Sequence, residues 1–140
     1  MADVRIDFLR IEARKPWRWG VCDCCLFLAD WIAYRDGFDP AADLRGTYST
    51  EREMRRLVKE RGGIFAVVER CAKNAGLEQT DEPAIGDVGL VQVPIKFWRE
   101  RAILVPAGAI KCSDKLWAVK SREHATILMQ PFPLLRAWGA

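Results

Sequence analysis

Histidine occurs once in this chain, tyrosine twice and methionine three times. With His124 as the one imidazole, a zinc site would have to draw its ligands from Cys22, Cys24, Cys71, Cys112 and that histidine, at spacings that close only by coincidence of the fold. No metal and no other cofactor is expected. Long apolar runs are also missing, because Arg, Lys, Asp or Glu interrupts each one well short of the roughly 18 residues a membrane-spanning helix needs. A soluble protein without a membrane span is expected. The first residues, Met1-Ala2-Asp3-Val4-Arg5-Ile6-Asp7, carry charge where a secretory signal would carry its apolar stretch, so no export signal is expected.

An excess of one charge is missing too. Lys and Arg number 22 against 19 Asp and Glu, a net +3, with the signs interspersed. Even the densest basic piece, Arg52 to Arg61, contains Glu53 and Glu60 and reads as a solvated helix face. No nucleic-acid partner is expected. What is present is a core: half of the 140 residues are apolar and 29% charged, which excludes disorder and collagen-like structure. That length predicts a single domain over residues 1–140. The six tryptophans are the unusual count, and Trp serves both cores and interfaces.

Five cysteines form an odd set, with Cys22, Cys24 and Cys25 crowded together. A secreted disulfide scaffold has an even, spaced set, so reduced thiols are expected. Cys71 lies in an apolar helix pattern and Cys112 in a strand pattern, and both read as small buried hydrophobes. For the crowded group the same reading competes with a nucleophile.

Along the chain, Val4, Phe8, Leu9 and Ile11 predict a short helix ended by Pro16. Asp23 is a good N-cap for a buried helix with Leu26, Phe27, Trp31, Ile32 and Tyr34, closed by Gly37. Thr50 and Glu53 predict a capping box for a helix to about Arg61, stopped by Gly62-Gly63. A fourth helix runs from Ile64 to Gly76. The period then changes: strands are predicted at Val88 to Val93, ended or pushed to a sheet edge by Pro94, then at Ala109 to Cys112, Leu116 to Lys120, Ala125 to Met129 and Leu134 to Trp138. Ile95 to Arg101 is an ambiguous charged insert with Phe97 and Trp98. Helices first and strands afterwards make an α+β pattern, N-terminal helices packed on a C-terminal antiparallel sheet.

The chemistry centres on Cys24. With Asp23 as N-cap it is the first helical residue, where unsatisfied amides and the helix dipole favour a thiolate. A catalytic cysteine also needs an imidazole as general base and a group to orient it. Asp23 is equally explained as a cap alone. Trp17 and Trp19 either pack over the cysteine helix or line a groove, and Trp98 and Trp117 are partner-surface candidates if exposed and core residues otherwise. Arg45 is as well suited to hold a loop carbonyl or carboxylate inside the fold as to meet a ligand.

The run from Trp17 through Cys24 to Trp31, with Gly37-Phe38-Asp39-Pro40, Leu44-Arg45-Gly46-Thr47-Tyr48, Gly62-Gly63, Ile85-Gly86-Asp87-Val88 and Arg136-Ala137-Trp138, resembles a family of small proteins encoded in tail-gene clusters of phages, prophages and gene transfer agents. That family is similar to NlpC-like cell-wall peptidases, permuted papain-like enzymes. The resemblance implies an NlpC-like papain fold, Cys24 at the nucleophile position and Gly86-Asp87 at the start of the first sheet strand. An active NlpC-like peptidase carries its histidine at the start of the next strand. Here that stretch reads Pro106-Ala107-Gly108-Ala109-Ile110-Lys111-Cys112, and His124 comes about twelve residues too late.

Two functions follow from this resemblance. The first is a structural or adaptor component of the phage tail tip or hub, carried in the virion after synthesis in the host cytoplasm, with other tail proteins as partners met through its tryptophans and the Lys96 to Arg101 insert. The second is a cysteine hydrolase of peptidoglycan stem peptides, with Cys24 as nucleophile, helix-start amides as oxyanion donors and His124 or a neighbouring subunit as base.

Overall fold

The computed structural model describes residues 3–96, 102–122 and 126–139 of the chain. Three helices start at a side-chain cap, which satisfies amides that have no partner inside the helix. Asp3 caps α1 (Val4–Ala13), Asp23 caps α2 (Cys24–Asp36), and Thr50 caps α3 (Glu51–Glu60) by accepting from the amide of Glu53. Helix α4 (Ile64–Asn74) starts after Gly62-Gly63 without a side-chain cap. Helix α2 ends at Gly37, whose φ of 74° is the left-handed conformation that glycine adopts without strain. All four helices match the sequence expectation. Burying Leu26, Phe27, Leu28, Ala29, Trp31 and Ile32, α2 is the central helix, whereas α3 buries no residue completely.

The second half forms one six-stranded sheet, β1 (Glu78–Thr80), β2 (Val88–Lys96), β3 (Ala102–Lys111), β4 (Trp117–Lys120), β5 (Ile127–Gln130) and β6 (Leu134–Gly139), in the order β1-β6-β2-β3-β4-β5. Every pairing is antiparallel. The expected α+β architecture, N-terminal helices and a C-terminal antiparallel sheet, is therefore present.

The strands depart from expectation in their number and at several ends. Strand β1 was not foreseen, since a three-residue, largely exposed edge strand carries no hydrophobic alternation to reveal it. Strand β2 does not end at Pro94 but runs to Lys96, paired with β3 from Val88↔Ile110 to Lys96↔Ala102. Its ladder with β6 stops at Val91↔Leu134, so among the described residues Pro94 lies where β2 has β3 as its one sheet neighbour; of the two readings of Pro94 the sheet edge holds, and the missing N–H is tolerated. Strand β3 begins at Ala102 and not near Ala109. Pro106 sits opposite Gln92 in it, ahead of the β4 pairing that starts at Ala109↔Val119. Strand β5 begins at Ile127, and Ala125 lies outside the described residues, as do Phe97 and Trp98 of the charged insert.

The sheet buries apolar residues on both faces. One set, Val88, Leu90, Ile110, Ala118 and Trp138, packs against Phe8, Phe27, Leu28, Trp31, Ile32 and Val68 of the helices. The alternate set, Val91, Ala107, Ala109, Trp117, Val119 and Ala137, forms a second cluster with Phe132 and reaches Cys24. The buried Trp117 thus takes the core role expected of it by default. No helix among the described residues is long and apolar enough to cross a membrane.

Candidate functional site

Asp23 organises the start of α2. Its Oδ1 accepts from the amides of Cys25 and Leu26, each at 3.0 Å. Its Oδ2 accepts from the amide of Gly20 at 2.9 Å and the hydroxyl of Tyr48 at 2.7 Å. Asp23 is 1% exposed, and each of its carboxylate oxygens accepts two hydrogen bonds, which offsets the cost of its burial. Burial and the neighbouring Asp23 charge push the Tyr48 hydroxyl far above its ordinary pKa. Gly20 is required here: at φ 80°, a Cβ would stand 2.0 Å from the Tyr48 carbonyl oxygen.

Cys24 is the first residue of α2 and is half-buried. Of the first-turn amides, those of Cys25 and Leu26 are taken by Asp23, which leaves that of Cys24 itself as the donor available to an outside acceptor. The expectation that the helix-start amides together hold an oxyanion is thereby narrowed to one amide. Next to it the Cys25 thiol is pushed well up, first by its hydrogen bond with Cys24 and then by burial. None of the five cysteines is in a disulfide.

The strand packed on this helix start is β3. Gly108 lies so close to it that a Cβ would stand 2.5 Å from the Cys24 carbonyl oxygen and 2.7 Å from a Leu28 methyl. Pro106 and Ala107, just before it, line the same cleft as Cys24. No imidazole occupies this stretch. His124 lies outside the described residues, as does Trp98.

The cleft has a volume of about 920 Å³ and runs between α3 and the sheet. Trp17 and Trp19 both line it, meeting edge-to-face with ring centroids 5.1 Å apart and an interplanar angle of 82°. The Arg122 guanidinium lies 5.6 Å from the Trp19 ring and bonds Glu51 through two nitrogens, at 3.1 and 2.7 Å. Glu51 also accepts from Arg55 at 2.8 Å. This chain of contacts joins the Trp loop, the start of α3 and the segment after β4. Sequence reasoning found Trp17, Trp19 and Cys24 but missed Glu51 and Arg122, which are 71 positions apart and share no local pattern.

Behind the cleft lies a buried polar network that the sequence did not announce. Glu12, 1% exposed, accepts from Lys15 at 2.8 Å, and the Cys22 thiol points to its other oxygen at 3.7 Å. Burial and the Glu12 charge push the Cys22 thiol up to about 11. The Lys120 ammonium donates to the carbonyl oxygens of Glu12 and Lys15. Arg45 pairs with Asp30 and Asp39, each at 2.6 Å, which is the internal one of its two expected roles. Burial, with Glu12 adding to it, pushes the Asp30 carboxyl up to about 6 against the pull of Arg45. Among the described residues no group of three or more His, Cys, Asp or Glu is placed to hold a metal ion.

Residues 5–139 match a family described as a domain of unknown function, DUF6950. The chain belongs to the DUF6950 family. No curated protein and no solved structure matches it. The match takes in Asp23, Cys24 and every described residue of the cleft, so the DUF6950 domain includes the whole candidate site.

Proposed function

We propose that the chain is a structural or adaptor subunit of a phage tail tip or hub, with an NlpC-like papain fold whose cleft holds a partner and does not cut peptide. One observation carries this reading: the strand against the cysteine helix offers Pro106, Ala107 and Gly108 beside Cys24, where an NlpC-like peptidase supplies its imidazole. A thiol without a general base forfeits about 10²–10⁴-fold in rate. Support for the tail setting, for other tail proteins as partners and for carriage in the virion comes from the resemblance of the Trp17 to Trp31 run and its companion motifs. Fold alone does not imply activity, and a retained cysteine helix is compatible with a binding role. The test is Cys24→Ser in the phage: tails are expected to assemble and infect normally. Intact tails that fail to infect overturn the proposal.

A second reading, a cysteine hydrolase of peptidoglycan stem peptides, is favoured by a different observation. Cys24 lines a cleft whose rim includes Ser121 and Arg122, and His124 follows Arg122 by two positions in the chain. In this reading Cys24 attacks the carbonyl, its own amide holds the oxyanion and His124 moves the proton. Isolated sacculi incubated with the purified protein would then release new amino groups, and both Cys24→Ala and His124→Ala would abolish the release. No release by the unaltered protein eliminates this reading.

A further inference from the structure

We infer that the cleft beside Cys24 is the docking groove for an extended segment of a partner protein in which apolar side chains alternate with carboxylates. The inference rests on the docking reading above and names its partner. The sheet side of the cleft is aliphatic and aromatic, with Val93, Ile95, Val105, Leu128 and Phe132. The helix side is the half-exposed apolar stripe of α3, including Met54 and Val58. An amphipathic helix that fully buries none of its residues leaves apolar surface uncovered on the side that should be covered. The volume of about 920 Å³ is that of a ligand cleft, far more than a packing defect.

Charge identifies what covers it. Arg55 and Arg122 share the single carboxylate of Glu51, and the exposed Lys59 forms no ion pair with a described residue. Among the described residues the rim is therefore short of negative charge. Arg55 and Lys59 stand one turn apart on the same face of α3, about 6 Å along the axis. Alternate residues of an extended chain are separated by about 6.6 Å, and the residues between them point the other way. A segment lying along α3 can thus set carboxylates against Arg55 and Lys59 while its intervening side chains enter the apolar cleft.

The experiment uses the full-length protein and two fluorescent synthetic peptides with the same alternate Leu and Phe residues, one with Glu and the other with Lys between them. Anisotropy is expected to rise with the Glu peptide, to fall with added salt, and to show weaker binding of the Lys peptide by about 5-fold or more. Lys59→Glu is expected to reduce that preference, and Met54→Glu, its fold checked by circular dichroism, to weaken both peptides. Equal binding of the two peptides, or no binding of either, overturns the inference. So does displacement of the Glu peptide by sodium laurate or by a soluble peptidoglycan stem peptide at equal or lower concentration, which would assign the groove to an amphiphile or to a wall fragment. These outcomes leave the infection phenotype of Cys24→Ser untouched, so failure of the partner chemistry and failure of the docking reading are distinguishable.

Discussion

The hydroxyl of Tyr48 donates to Oδ2 of Asp23 at 2.7 Å, across a separation of 25 positions. This bond ties the loop after α2 to the residue that starts α2, and the same carboxylate holds Gly20 in the Trp loop. Removing the hydroxyl takes one donor from a buried charge, so Tyr48→Phe is expected to cost about 1.5–3 kcal/mol. Asp23→Ala, which strands three amides and a hydroxyl, is expected to cost more. Urea denaturation of both variants checks this order, and a Tyr48→Phe midpoint equal to that of the unaltered protein would contradict it.

Gly108 and Cys24 set the separation of β3 and α2. A methyl at Gly108 meets backbone at 2.5 Å, which cannot rotate away, so Gly108→Ala is expected to destabilise by about 1–3 kcal/mol and to push the start of α2 off the sheet. The local readout is alkylation followed by mass spectrometry. In the unaltered protein the half-buried Cys24 is expected to react ahead of the buried Cys22 and Cys71, whose thiols burial lifts to about 11. In Gly108→Ala the Cys24 rate is expected to change while Cys71 stays protected. Unchanged stability and an unchanged Cys24 rate would show that the contact is not tight.

Asp30 gives the fold a pH dependence of definite sign. Burial, reinforced by Glu12 and opposed by Arg45, raises its carboxyl from 3.8 to about 6 in the folded chain. Between these values the folded chain holds the proton that the unfolded chain releases, so this group lowers stability as pH rises through the window. Asp30→Asn keeps a polar side chain beside Arg45 and removes that fall. Its stability relative to the unaltered protein is expected to improve by on the order of 2 kcal/mol between pH 4 and pH 7. Denaturation midpoints at the two pH values test it, and a difference that is flat or of opposite sign rules out a raised Asp30.

The legible part of the fold consists of short-range features. Asp23 ahead of Cys24, Thr50 ahead of Glu53, and Gly37 after α2 act within one helical turn, and each stands where its spacing placed it. Gly86-Asp87 introduces β2 as expected, with the Asp87 carboxylate accepting from the amide of Ala84. The strands were less legible where proline intervened. Pro94 left two readings open, a strand end or a sheet edge, and no strand was expected through Pro106, yet both are paired in the β2–β3 ladder because, among the described residues, each lies where its strand has a single sheet neighbour.

In the site, local sequence determined that Cys24 opens a capped helix and that two tryptophans precede it. The facing strand, the clamp of Arg122 on Glu51 and Trp19, the Tyr48 bond to Asp23 and the burial of Glu12 beside Cys22 were decided by tertiary structure alone. The physical reason is range. A cap or a hydrophobic period is satisfied by atoms within a few residues and leaves its mark in their order. A shared carboxylate or a buried ion pair is satisfied by whichever distant residue the packed chain brings to it, and the order of residues carries no trace of that meeting.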